Sequence, residues 1–173
     1  MRNLKIVGVL PVALMLLCIA GPTGALAQLA GVSSRKDAPG FSLKNDKGLT
    51  VRLSDYKGGV VLLNFWATWC HGCKTEIPWY MGFQHKYKQQ GLTVIGASLD
   101  DGGWKVVEPF VTAKKMNYPV VIAHDDLAKQ YGLGAMPMSV LIDREGRIAD
   151  AHSGVVDRNE WETEIQKLLA ERR

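Results

Sequence analysis

The sequence predicts an α/β domain: a central mixed β-sheet flanked by helices, with an N-terminal β-hairpin. Three observations lead there. Val60-Val61-Leu62-Leu63-Asn64-Phe65 and Leu92–Leu99 are near-continuous apolar runs, the pattern of strands buried on both faces. A helical stretch lies between them, which makes a βαβ unit and therefore parallel strands. The chain closes on a second hairpin and a helix, so the sheet must also hold antiparallel pairs.

The elements follow in order. Phe41-Ser42-Leu43-Lys44 and Leu49-Thr50-Val51-Arg52-Leu53 alternate apolar and polar around the turn Asn45-Asp46-Lys47-Gly48, a hairpin whose Phe41, Leu43 and Leu53 are core at period two. The first helix is expected from Cys70 to Gln90, interrupted at Pro78 and stopped by Gly91. Beyond Leu92–Leu99 come a helix at Glu108–Met116, a strand at Tyr118–Ala123 and a short helix after Asp125-Asp126. The closing hairpin pairs Met138–Asp143 with Ile148–His152. In the last helix Asp157 is the N-cap, with Glu160 three residues on, and Trp161, Ile165, Leu168 and Leu169 form one apolar face.

Composition narrows the partners. The 173 residues are 47% hydrophobic and 22% charged, too apolar for a disordered chain. Residues 1–27 join a basic start (Arg2, Lys5), the apolar run Ile6–Ala20 and the small-residue site Ala25-Leu26-Ala27, the three parts of a secretory signal cleaved after Ala27. An uncleaved membrane anchor is the alternative, although 15 apolar residues are short for a span of about 20. Without this segment the net charge of +4 falls to +2, and no basic cluster interleaves with aromatics. Nucleic acid is therefore not an expected partner. The expected product is one domain over residues 28–173, outside the cytoplasm, in an oxidising compartment.

With Cys18 in the apolar run, Cys70 and Cys73 are the two cysteines of that domain. At a helix start they share one face, close enough for their sulfurs to bond. The free N–H groups and positive dipole end of the first turn favour a thiolate. Cys70, at the mouth, is the candidate nucleophile; Cys73, a turn inside, is the resolving thiol. Structural zinc needs two further ligands that no cysteine pair or His-x₃₋₅-His supplies, and haem attachment needs histidine where Lys74 stands. A structural disulfide closing so short a loop restrains little of the unfolded chain. Redox exchange matches the setting, a buried strand running into a helix. His71, between the cysteines, stabilises the Cys70 thiolate if protonated. His85, His124 and His152 are scattered without ligand spacing.

Val61–Cys73, with Trp66-Ala67-Thr68-Trp69-Cys70-His71-Gly72-Cys73 at its end, resembles the active-site strand and helix of the thioredoxin superfamily. Pro78 is similar to that family's helix proline, and Gly134-Ala135-Met136-Pro137-Met138 to its cis-proline loop. Cys-x-x-Cys-Lys-x-Glu-x-Pro, the hairpin before the first core strand and the long stretch from Cys73 to Pro137 resemble the TlpA/ResA group of extracytoplasmic thiol–disulfide oxidoreductases. The resemblance implies a thioredoxin-like fold with a central insertion, working without metal or organic cofactor. It implies protein thiols and disulfides as substrates, a membrane-embedded thiol donor as reductant and a place in cytochrome c maturation. It also implies a proton-handling role for Glu76, since Asn64 replaces the buried aspartate of cytoplasmic thioredoxins and cannot titrate. Trp69, His71, Met136 and Pro137 are the residues expected to meet the substrate.

Two other classes share this superfamily core. A thiol peroxidase needs a threonine or serine three residues before its reactive cysteine, where Ala67 stands and Thr68 is one position off. A copper-binding chaperone needs His124 or His152 to converge on the cysteine pair.

Overall fold

The computed structural model describes residues 29–171; the expected export segment, including Cys18, lies outside the described residues. Eight strands and four α-helices run in the order β1 (Lys36–Asp37), β2 (Ser42–Lys44), β3 (Thr50–Arg52), β4 (Val60–Trp66), α1 (His71–Tyr87), β5 (Leu92–Ser98), α2 (Trp104–Lys114), β6 (Val120–Ile122), α3 (Asp125–Gln130), β7 (Met138–Ile142), β8 (Arg147–Ser153) and α4 (Arg158–Ala170).

Six strands form one sheet in the order β1-β8-β7-β4-β5-β6. The pairs β4–β5 and β5–β6 are parallel, whereas β4–β7, β7–β8 and β1–β8 are antiparallel. The expected mixed sheet is therefore present. All seven residues of β4 are buried and divide by period two. Val60, Leu62 and Trp66 enter a core with Ile77, Tyr80 and Phe83 of α1, Val107 of α2 and Trp161, Ile165 and Leu168 of α4. Val61, Leu63 and Phe65 face Ala128 of α3, Tyr131 and the β2–β3 hairpin. Gly96 of β5 lies opposite Asn64 and makes room for the Trp66 indole: a Cβ there would sit 2.9 Å from Trp66 Nε1.

Several boundaries differ from expectation. The hairpin β2–β3 is a separate two-stranded sheet; Leu53 is buried but begins a 3₁₀ turn, and Phe41 and Leu43 are partly buried. Helix α1 runs through Pro78 without interruption, because both Pro78 and Lys74, whose carbonyl loses its donor, lie on the exposed side. Gly91 then stops the chain in the left-handed region, at φ 99°. Helix α2 begins four residues before the expected Glu108 and contains Pro109, since Trp104 and Val107 pack inward ahead of it.

The N-terminal segment is held by charge. Arg35 donates to Asp143 at 3.2 Å and makes two 2.7 Å bonds to Glu171, while Arg147 also holds Asp143. Burial would raise the Asp143 carboxyl, but hydrogen bonds from Arg147 and Arg35 outweigh it and hold the group below its ordinary value. Asp157 caps α4 as expected, accepting from the N–H groups of Asn159 and Glu160.

Candidate active site

Strand β4 delivers the chain at its carboxyl end into the turn Ala67–Trp69, and α1 starts directly behind it. Asp100, at the end of β5, fixes this turn. It accepts the Thr68 N–H at 2.8 Å, the Thr68 hydroxyl at 2.6 Å and the Ser98 hydroxyl at 2.8 Å. Cys70 is the N-cap of α1, its Sγ accepting the Cys73 N–H at 3.2 Å. The N–H that caps the helix is thus aimed at Cys70 Sγ, the geometry by which a helix N-terminus stabilises negative charge on a sulfur. Cys70 and Cys73 are joined as a disulfide. Cys70 is 6% exposed and Cys73 fully buried, so a partner can approach the first sulfur alone.

Three segments close around the pair. The Met136–Pro137 peptide bond is cis, and Pro137 packs on Gly72. A Cβ on Gly72 would come within 3.1 Å of Pro137 Cδ and 2.8 Å of Val155 Cγ2, so glycine permits both approaches. The Gly154 N–H donates to the Pro137 carbonyl at 2.7 Å, joining this loop to the one after β8. His71 and Trp69 are exposed, Trp69 to 66%, and Met136 is half-buried at the rim. Trp69 therefore projects into solvent, whereas Trp66 is core.

Glu76 lies one turn past Cys73 and is wholly buried. Its Oε1 accepts the Val156 N–H at 2.9 Å, and Oε2 has no hydrogen-bond partner. Burial pushes its carboxyl up to about 7, against the Val156 hydrogen bond and the nearby Tyr80 hydroxyl, both of which favour the ionised form. Asn64 is buried on the same side of the sheet, its amide donating to Ser139 Oγ at 3.1 Å; the Ser139 and Tyr80 hydroxyls meet at 2.6 Å. Spacing did not single out Asp100, Tyr80, Ser139 or Gly72. A legible signal existed for Ser139 alone, a polar residue inside the apolar run Met138–Ile142.

The readings that compete with exchange find no support in the geometry. The Thr68 hydroxyl is committed to Asp100 and so is not offered to a peroxide at Cys70. Among the described residues, no three His, Cys, Asp or Glu side chains converge to hold a metal, so neither His124 nor His152 completes a copper site at the pair.

A helix-capping cysteine bonded to a buried partner, on a mixed sheet and beside a cis-proline, defines a thioredoxin-like thiol–disulfide oxidoreductase. The chain belongs to the AhpC/TSA family, whose profile matches residues 35–151. It is 36% identical over 151 residues to the thiol-disulfide oxidoreductase ResA of Bacillus subtilis, covering 84% of this chain and 83% of that protein. It is 31% identical to the ResA of Geobacillus kaustophilus, with 84% of each covered. A Chlorobium tepidum structure, provisionally described as the thiol:disulfide interchange protein DsbE, superposes with a TM-score of 0.74 at 33% identity, covering 79% of this chain and 97% of that one. A secreted thiol-disulfide isomerase from Corynebacterium glutamicum shares the fold at TM-score 0.77 and 22% identity, covering 87% and 96%.

Proposed function

We propose that residues 28–173 form one exported domain that reduces disulfides in partner proteins, with Cys70 as nucleophile, Cys73 as resolving thiol and Glu76 as the group that takes the Cys73 proton. In the first step the Cys70 thiolate attacks one sulfur of the partner disulfide. A mixed disulfide forms, and the partner's other sulfur leaves as thiolate. In the second, Cys73 gives its proton to Glu76 and attacks Cys70 Sγ. The Cys70–Cys73 bond forms as the mixed disulfide breaks, the partner's second sulfur leaves as thiolate, and two electrons have passed to the partner; its two thiolates are protonated by Glu76 and by water. The observation that carries this reading is the asymmetry of the pair: the sulfur at the rim is capped by an N–H, and the buried one lies a turn from a buried carboxyl.

The charge near the pair supports this direction. An ionised Glu76 opposes a thiolate at Cys73, which disfavours the dithiol relative to the disulfide and lowers the reduction potential. The resemblance to the TlpA/ResA group implies the same direction, with a membrane-embedded thiol donor to re-reduce the pair and cytochrome c maturation as the setting. The apolar run Ile6–Ala20 is assigned to membrane attachment should residues 1–27 remain uncleaved. Trp69, His71, Met136 and Pro137 are assigned to substrate contact; the proline has no N–H, so the backbone edge it offers an extended chain presents no donor at that position.

Trapping tests the roles. Cys73→Ser should accumulate mixed disulfides through Cys70, and Cys70→Ser none; equal trapping by both would overturn the assignment. Direction is tested by the reduction potential and the redox state in the cell. A reductase is expected dithiol-rich with a low potential. A potential near about −120 mV, that of a strong oxidant, with the pair found oxidised, would reverse it.

A further inference from the structure

On the assignment of Glu76 as proton acceptor, we infer that Tyr80, held by Ser139 and Asn64, is a positioning residue that presents its hydroxyl to Glu76 and governs when that carboxyl accepts the Cys73 proton. The chain of contacts can be followed donor by donor. Asn64 is wholly buried, and its side-chain nitrogen reaches the Met138 carbonyl at 3.4 Å and Ser139 Oγ at 3.1 Å. A carbonyl can only accept, so the amide must turn its NH₂ this way and donate to Ser139. One lone pair of Ser139 Oγ is then occupied. The 2.6 Å contact between Ser139 and Tyr80 holds a single O–H, and either oxygen can supply it.

This freedom gives two arrangements. When Glu76 is ionised, Ser139 donates to Tyr80 and the Tyr80 O–H is released toward Oε2, the carboxylate oxygen that lacks a partner. When Glu76 is protonated, its O–H can donate to the Tyr80 oxygen, and Tyr80 donates to Ser139, which still accepts from Asn64. A hydroxyl pair can accommodate either protonation state by turning, with no backbone movement. The Val156 N–H cannot do this, because it is a donor in both states. The titratable groups facing Glu76 are Tyr80 on its own helix and Tyr118 ahead of β6, with Cys73 one turn before it. Burial and the Glu76 charge push both phenols up, so each stays an O–H donor through the working range.

The hydroxyl contribution can be removed without emptying the core. Tyr80→Phe keeps the ring and deletes the donor that favours ionised Glu76. The carboxyl of Glu76, followed by ¹³C-carboxyl NMR of the oxidised protein and assigned with Glu76→Gln, should titrate about one pH unit higher, a tenfold change equal to about 1.4 kcal/mol. The acid limb of mixed-disulfide resolution by Cys73 should move by the same amount. Ser139→Ala should shift both in the same direction by less, and Ser139→Thr should restore them. A Glu76 titration in Tyr80→Phe that superimposes on wild type overturns the inference, as does a shifted titration with an unmoved resolution profile. Glu76→Gln separates the two levels. If it leaves resolution unchanged, the role given to Glu76 fails; if it abolishes the acid limb while Tyr80→Phe does nothing, the role given to Tyr80 fails.

Discussion

Glu76 Oε1 accepts the backbone N–H of Val156 at 2.9 Å, tying the helix that carries both cysteines to the loop ahead of α4, 80 residues away in sequence. An exposed acid in the first turns of a helix would serve the dipole. This one is inside, and the contact gives a buried carboxyl a single firm donor.

Stability should therefore fall as pH rises. A carboxyl moved from 4.5 to about 7 by folding is protonated in the native state while the unfolded chain is already ionised. The unfolded state then binds fewer protons across that window, and stability is lost between about pH 4.5 and 7, by up to about 3 kcal/mol. Glu164, buried with neither oxygen partnered and raised to about 7 by burial and by Asp150, adds to the slope. Urea unfolding of Glu76→Gln across this range should show a clearly shallower pH slope than wild type, with the Glu164 part remaining. An unchanged slope would contradict the buried assignment.

Asp100 should matter to exchange without touching a substrate. Asp100→Ala strands the Thr68 N–H and two hydroxyls, at a cost of about 2–3 kcal/mol, and frees the turn that carries Cys70. Chemical denaturation measures the first effect. Reduced insulin-disulfide turnover at a temperature where the variant is folded measures the second.

Gly72→Ala sets helix propensity against space. Alanine favours the helix by about 1 kcal/mol over glycine, yet its Cβ would press on Val155 and Pro137. Thermal stability is expected to change little, while turnover falls as the Pro137 loop is pushed from the pair. Val155→Ala in the same chain removes the nearer clash and should recover much of the activity. Failure of that rescue would place the damage elsewhere.

Arg35→Met should destabilise by less than the about 3–5 kcal/mol typical of stranding a buried charge, because Arg147 still holds Asp143. The loss should be largest above about pH 4, where Asp143 is ionised, and vanish as pH falls through its lowered value. Guanidinium titrations at two pH values decide it.

Much of this was legible in the sequence because it is local. The strand β4 announces itself by an unbroken apolar run, Cys70-x-x-Cys73 by its place after that run, Gly91 by stopping a helix and Asp157 by capping one. Nearest-neighbour rules alone misplace the interruption at Pro78 and the start of α2. Pro78 and Pro109 lie inside helices because packing of their neighbours outweighs one missing hydrogen bond.

By itself, then, the sequence determined the α/β sheet, the cysteine pair, its polarity along the helix and the proline that faces it. Only the tertiary structure decided that Glu76 is buried, that Trp69 stands in solvent, and that Asp100, Tyr80, Ser139 and Val156 belong to the site. The physical reason is range. Helix starts and strand periods are set by residues a few positions apart, whereas desolvation and proton affinity depend on which distant segments close over a side chain, and no spacing rule carries that information.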